Sequence, residues 1–156
     1  MRSRILVTGA AGFIGHALVE HLRRGGRDVL PVTRDMVARM EDVDSVVHLA
    51  ARAHVIADSA ADPLEEFRRV NVVVTEQLAD DAVRCGVRRF VFVSSIGVLG
   101  NDSHGRAFTA GDPPQPREPY AVSKLEAEQS LLARVAGTAT EAVIVRPPLV
   151  YGPGVK

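Results

Sequence analysis

The 156-residue sequence predicts one α/β domain, 1–156, built on a doubly wound parallel sheet. Short β-branched apolar runs alternate along it with segments of helical period. The first run ends in a glycine-rich turn that opens a helix. The composition is that of a globular chain, with 46% apolar residues and nineteen Lys and Arg against nineteen Asp and Glu. A chain this long buries roughly two thirds of its unfolded surface, so a core forms without metal or disulfide staples. The balanced charge argues against a basic nucleic-acid binder, an acidic tail or a disordered chain. One cysteine, Cys85, excludes an intramolecular disulfide framework and a cysteine-cluster metal site.

The elements follow in order. Arg4 to Thr8 is a short β-branched run suited to a buried parallel strand. After the glycines, Ile14, Leu18, His21 and Leu22 share one face of a helix that Gly25-Gly26 closes. Asp28 to Thr33 is a second strand, weakened by Pro31. Met36 to Val43 is a short helix, and Ser45 to Leu49 the next strand. Asp62-Pro63 starts a helix: Asp caps free N–H groups, Pro fits the first turn, and Glu65 and Glu66 suit the positive end of the dipole. Phe67, Val70, Val74, Leu78 and Val83 continue it as one helix toward Cys85-Gly86, where the cysteine is expected as a small buried hydrophobe. Arg89 to Ser94 is a strand, Asn101 to Pro119 a polar loop, Tyr120 to Ala136 a helix, and Glu141 to Val145 the last strand. Such alternation implies right-handed crossovers with helices on both faces.

Met1 to Arg4 and the apolar stretch behind them have the outline of a secretory leader, but ordered glycines and His16 interrupt it. No uncharged run is long enough to span a bilayer. The expectation is a cytoplasmic protein with neither membrane nor nucleic acid as partner. His16, His21, His48, His54 and His104 lack metal-ligand spacing, so no metal site is expected.

Three segments carry chemistry. In Thr8-Gly9-Ala10-Ala11-Gly12-Phe13-Ile14-Gly15, Gly9 permits a tight turn, Gly12 lets backbone approach a pyrophosphate, and Gly15 allows close helix packing. The helix start then offers free N–H groups and a favourable dipole to phosphates. Tyr120 and Lys124, four apart, share a helix face, and a neighbouring ammonium lowers a phenol's pKa toward acid/base use. Ser94-Ser95 close a strand at its carboxyl end, where ligands of open parallel sheets sit.

Together with His48-Leu49-Ala50-Ala51, Val70-Asn71 and Arg146-Pro147-Pro148-Leu149-Val150-Tyr151-Gly152-Pro153-Gly154, these segments resemble the extended short-chain dehydrogenase/reductase family. The closest likeness is to its NAD-dependent epimerase/dehydratase branch of nucleotide-sugar epimerases and 4-ketoreductases. The resemblance implies a Rossmann-like fold, NADP or NAD as cofactor, and a nucleotide-diphosphate sugar as substrate. It makes Tyr120 the acid/base, Lys124 the group that lowers its pKa and binds the nicotinamide ribose, and Ser95 the residue that orients the substrate oxygen. It assigns the pyrophosphate to Gly9, Gly12, Phe13, Ile14 and Gly15, and the adenosine side to Leu49, Ala50 and Ala51. Ser94 joins the cofactor set, Pro147 and Pro148 lie where the family closes over the nicotinamide, and Asn71 matches a structural or cofactor-proximal asparagine.

The departures sharpen the picture. Where the family often places an acid at the end of the second strand stand Thr33 and Arg34, a pair that suits a 2′-phosphate and leans toward NADP over NAD, with Asp35, one step later, as the alternative acid for a ribose hydroxyl. Leu99 and Leu149 replace a tyrosine and an asparagine of the family pattern, and Val74 a glycine. Only twelve residues separate Thr33 from Val46, too few for the helix and third strand the family inserts there. The family's C-terminal substrate domain is expected to be absent, leaving a fragment of low activity. A homodimer stays open. Two alternatives remain beside the enzyme of nucleotide-sugar metabolism: a non-catalytic dinucleotide-binding module, and a short-chain reductase of another alcohol or ketone class.

Overall fold

The computed structural model describes residues 4–33, 40–53, 62–103 and 105–155. Its strands are β1 Arg4–Thr8, β2 Asp28–Val32, β3 Val43–His48, β4 Arg89–Val93 and β5 Glu141–Val145. Its α-helices are α1 Phe13–Arg24, α2 Pro63–Asn71, α3 Val73–Arg84 and α4 Pro119–Val135, with a 3-10 turn at Ile96–Leu99. The strands form one parallel sheet in the order β2-β1-β3-β4-β5. The chain therefore leaves β1 to one side through α1 and β2, then returns to its other side at β3. The crevice at the carboxyl ends of β1 and β3 is the switch point where such sheets bind ligands.

The expected shortening is visible. Among the described residues no strand flanks β2 on its outer side, so it is an edge strand, which is why Pro31 is tolerated within it. Ten residues separate β2 from β3. The predicted helix over Met36 to Val43 does not form at its end: Glu41 and Asp42 turn, and Val43 already belongs to β3. Residues 36–39 of that prediction lie outside the described residues.

The main core lies on one face of the sheet. Leu6, Val46, Phe90 and Phe92 are fully buried there against Ala79, Ala82, Ala127 and Leu131 of α3 and α4. Each such Leu or Phe contributes about 1.5–3 kcal/mol on leaving water. Among the described residues the opposite face is covered by α1 alone, through Val19 with Val7, Ala10 and Val29, and Val143 and Val145 of β5 are exposed. Helices on both faces are found, but unequally. In α1 the buried residues are Gly15 and Val19, with Leu18 and Leu22 packed beside them; Ile14 and His21, expected on that face, are exposed.

The single helix expected from Asp62 to Cys85 is divided at Val72. The Thr75 hydroxyl donates to the Asn71 carbonyl at 2.6 Å, a bond from i to i−4 that loosens the helix where it forms. Asp62 caps α2 as expected, accepting from Glu65 N–H at 3.1 Å. Val74 faces solvent. Cys85 is exposed, not buried: it is the C-cap of α3, and Val87, past the left-handed Gly86, returns the chain to the core.

Candidate functional site

The glycine turn is closed by backbone, not by side chains. Gly9 has φ +68°, and a Cβ on it would stand 2.7 Å from Ala50 N and 2.9 Å from the Leu49 carbonyl carbon. A Cβ on Gly15 would stand 2.1 Å from Gly9 O. These two glycines let the start of α1, the end of β1 and the Leu49–Ala51 stretch meet at the switch point. Gly12 is the N-cap of α1 and supplies no side-chain cap, so the first N–H groups of the helix are left facing outward. Thr33 follows β2 and lines a cavity of about 240 Å³ with Ala10, Ala11 and Pro31, beside the same turn. Arg34, His54 and His104 lie outside the described residues.

A polar chain runs beneath this crevice. Ala50 N–H donates to Thr8 Oγ1 at 3.2 Å, and Thr8 Oγ1 lies 2.6 Å from His48 Nδ1. His48 Nε2 lies 3.1 Å from Thr75 Oγ1, whose proton goes to the Asn71 carbonyl. Thr75 must therefore accept, which places the imidazole proton on Nε2 and makes Thr8 the donor to Nδ1. Burial and the charge of Lys124 push the His48 pKa down to about 3, so the ring is neutral. Among the described residues no group of three or more His, Cys, Asp or Glu could hold a metal.

Asn71 ties that chain to α4. Its Oδ1 accepts from Arg52 N–H at 2.8 Å; its Nδ2 donates to Arg52 O at 3.3 Å and to Ser123 Oγ at 3.0 Å. Ser123 in turn donates to Tyr120 O at 2.7 Å. The Tyr120 ring is half-buried and packs edge-on against Phe67, 5.9 Å between centroids.

Ser95 sits at the head of the 3-10 turn and accepts from Gly97 N–H at 3.2 Å, leaving its own proton free of an acceptor among the described residues. The turn lies against α4 at Ala121. Ser94 is buried, and its Oγ has no partner among the described residues. Pro147 O accepts from Ile96 N–H at 3.0 Å, so the segment after β5 passes directly beside Ser95. Gly152 further along it approaches Phe13 of the glycine turn. Pro148 and Leu149 are exposed. The structure thus brings the glycine turn, Leu49–Ala51, Ser94-Ser95, the start of α4 and Pro147 to one edge of the sheet.

The electrostatics differ from the sequence expectation. Lys124 is 1% exposed, with Nζ 4.0 Å from the centre of the Phe92 ring. Burial pushes its pKa down to about 7 against the opposing pull of Glu128. Burial raises the Tyr120 pKa, and no influence of Lys124 on the phenol is resolved. The lowering expected from the four-residue spacing is therefore reversed here: the helix face that carries both groups is turned into the protein. Sequence reasoning also passed over Glu128, whose carboxylate binds Arg146 through Nε at 3.0 Å and Nη2 at 2.6 Å. Its position one further turn along from Tyr120 and Lys124 was the available signal.

A family model described as the NAD dependent epimerase/dehydratase family matches residues 5–156. The UDP-glucose 4-epimerase of Vibrio cholerae is 38% identical over 178 aligned residues, which take in all of this chain and 54% of that protein. The dTDP-glucose 4,6-dehydratase of Streptomyces griseus is 33% identical, over 98% of this chain and 56% of its own. Among solved structures, MoeE5 in complex with UDP-glucuronic acid and NAD superposes with a TM-score of 0.88 at 34% identity, over 99% of this chain and 57% of that one. RMD from Pseudomonas aeruginosa complexed with NADPH gives 0.82 at 27% identity, over 99% and 56%. The chain spans about half the length of the curated relatives it matches. An alignment of 178 positions against 156 residues leaves about 22 of the Vibrio protein's residues without a counterpart, roughly one helix and one strand.

Proposed function

The chain belongs to the NAD-dependent epimerase/dehydratase family, and on that premise we propose that it carries the dinucleotide-binding and proton-transfer groups of an enzyme acting on a nucleotide-diphosphate sugar, by 4-epimerisation or 4-keto reduction. The observation behind this reading is the convergence of the glycine turn, Ser95, Tyr120 and Pro147 at one sheet edge. The edge suits a dinucleotide. A Cβ would fill the cradle at Gly9 and Gly15, the uncapped start of α1 offers N–H groups to a pyrophosphate, and the buried Ser94 hydroxyl lacks a partner among the described residues. Neutral backbone does this work, which explains how a chain of zero net charge accommodates phosphates.

A bound nicotinamide supplies a hydride donor or acceptor at its C4. Ser95, with its proton free, holds the substrate oxygen by donating to it. Tyr120 moves the proton at that oxygen. Burial keeps the phenol protonated, the form needed to deliver a proton to a carbonyl being reduced. In the opposite direction the phenol must lose that proton, which requires the Lys124 cation to bear on it from α4. Lys124 is also the residue to meet the nicotinamide ribose. Arg34 with Thr33 favours a 2′-phosphate, hence NADP over NAD.

A second substrate class has a specific observation in its favour. The 2-alkyl-3-oxoalkanoate reductase of Stenotrophomonas maltophilia is 29% identical over 97% of this chain. Both substrates carry a carbonyl oxygen that a Ser–Tyr–Lys set could hold and protonate.

The first test is calorimetric titration of the 156-residue chain with NADPH and with NADH. Saturable binding, lost in Gly15→Val, supports the reading; heat from neither dinucleotide rejects it. NADPH should bind tighter than NADH, with Arg34→Ala narrowing the gap. Turnover of UDP-glucose, a 4-keto nucleotide sugar or a 3-oxoalkanoate by the whole protein then separates the substrate classes, and loss of turnover in Ser95→Ala and Tyr120→Phe tests the assigned roles.

A further inference from the structure

Tyr120, Lys124 and Glu128 follow one another at four-residue intervals along α4, and the two charged members are almost wholly buried, at 1% and 2% exposure. The sequence holds seventeen arginines and only two lysines, Lys124 and Lys156. At nearly every cationic position it uses the group that cannot lose its proton, and it buries Lys124, one of the two that can. The groups facing the Lys124 ammonium are few. His48 of β3 is neutral, Phe92 of β4 offers its ring at 4.0 Å, the Tyr120 phenol is uncharged, and Glu128 is the carboxylate that acts on it. No hydrogen bond holds Nζ among the described residues.

Glu128 is at the same time the anchor of another segment. Both its oxygens hold Arg146, the first residue after β5. The next residue, Pro147, gives its carbonyl to Ile96 N–H at 3.0 Å, one residue from Ser95. One buried carboxylate therefore stands between the cation of the Tyr-Lys face and the backbone crossing that flanks Ser95.

We propose that Glu128 is a positioning residue for this site, clamping Arg146 so that Pro147 lies beside Ser95 and holding the Lys124 ammonium in its charged form for the cofactor and the phenol. The role assigned to Lys124 rests on the function proposed above; the clamp and the coupling of the two cations do not. Arg146 binds the Glu128 carboxylate directly, and Lys124 lies one helical turn from it without an ion pair, so both cations feel the same negative charge. Neutralising Glu128 discharges Lys124 at lower pH, and removing Arg146 leaves the carboxylate to Lys124 and keeps it charged to higher pH.

The scarcity of lysine makes this measurable. In the 156-residue chain labelled with ¹³Cε-lysine, two side-chain resonances are expected, and Lys156→Arg identifies the signal of Lys124. In Glu128→Gln the Lys124 titration midpoint should fall by about one pH unit, and in Arg146→Met it should rise. Glu128→Asp should restore most of the parent midpoint, and carries the test if Glu128→Gln does not fold. Shifts of opposite sign support the proposal, since a loss of packing alone moves both variants the same way. An unmoved midpoint in folded Glu128→Gln, or a fall in both variants, overturns it. NADPH affinity of Glu128→Gln should be several-fold weaker at pH 8 and near the parent value at pH 6. If the parent chain binds no dinucleotide at all, the proposed function fails while the titration still decides the coupling.

Discussion

Thr75 accepts a hydrogen bond from His48 Nε2 because its own proton is committed to the Asn71 carbonyl, and this one commitment orients the whole polar chain up to Ala50 at the crevice. The imidazole is held neutral between two threonine hydroxyls and stacked on Phe92 at 5.6 Å. A charged ring would need a second acceptor, and Thr8 would then have to give up its donor role.

Acid should therefore unfold the protein through His48. The unfolded chain takes up the imidazole proton below its ordinary 6.5, and the folded chain only near 3. Between those values the unfolded state holds the extra proton, so stability falls as pH falls, by about 5 kcal/mol over the whole interval. Urea unfolding from pH 7 to pH 3.5 measures this. His48→Gln, which keeps one donor and one acceptor, should flatten that slope whatever it does to stability at pH 7.

Asn71 should matter more than its polarity suggests. It satisfies two backbone groups of Arg52 and the Ser123 hydroxyl while buried to 1% exposure. Asn71→Leu strands those groups and should cost about 2–4 kcal/mol, against about 1 kcal/mol for Ser123→Ala. Equal losses in a denaturant series would show that Asn71 does no more than fill space. Because Ser123 reaches Tyr120 O, Asn71→Leu should also lower the turnover proposed for the whole protein.

These two cases mark how far the sequence could be read. The sheet, the crossovers and the glycine turn were legible because period, length and glycine spacing are local signals. The missing third strand was legible as a deficit of residues between Thr33 and Val46. The division of the long helix at Val72 was not, because Val70 to Val74 suits an unbroken helix and the loosening comes from a hydroxyl, Thr75, at an ordinary helical position. Cys85 was misplaced for a related reason: a C-cap residue leaves the buried stripe, and the period does not say where the stripe ends. Spacing placed Tyr120 and Lys124 on one face but carried no information on its depth, so the direction of the Tyr120 shift was reversed. The polar chain through Thr8, His48, Thr75 and Asn71 joins β1, β3 and the α2–α3 junction, three segments far apart in sequence, and no local pattern announces it.

The glycines should separate into two kinds. A methyl on Gly15 would meet Gly9 O at 2.1 Å, backbone against backbone, and Gly15→Ala should cost about 3 kcal/mol or more. On Gly12 it would meet the same oxygen at 3.2 Å, at an N-cap with φ −75° that any residue adopts. Gly12→Ala should therefore cost under about 1 kcal/mol in stability and still weaken dinucleotide binding, since it narrows the approach to the helix start. Thermal unfolding and NADPH titration of the two variants side by side test this. Equal stability losses would contradict it.

Replacing Lys124 should stabilise the fold. Its ordinary value is 10.5, and burial brings it to about 7 in the folded chain. Below about 7 the lysine is charged in both states and the full cost of burying that charge is present. Between about 7 and 10.5 the unfolded chain holds the extra proton, so the parent gains stability as pH rises. Lys124→Met removes the cost and leaves Glu128 paired with Arg146. It should be about 1–4 kcal/mol more stable than the parent at pH 6, with the gap closing toward pH 10. Urea unfolding at both pH values decides the matter. A gap that does not change with pH would mean that the ammonium is solvated in the folded chain. Under the proposed function the same variant should also bind NADPH poorly, a loss of binding beside a gain of stability.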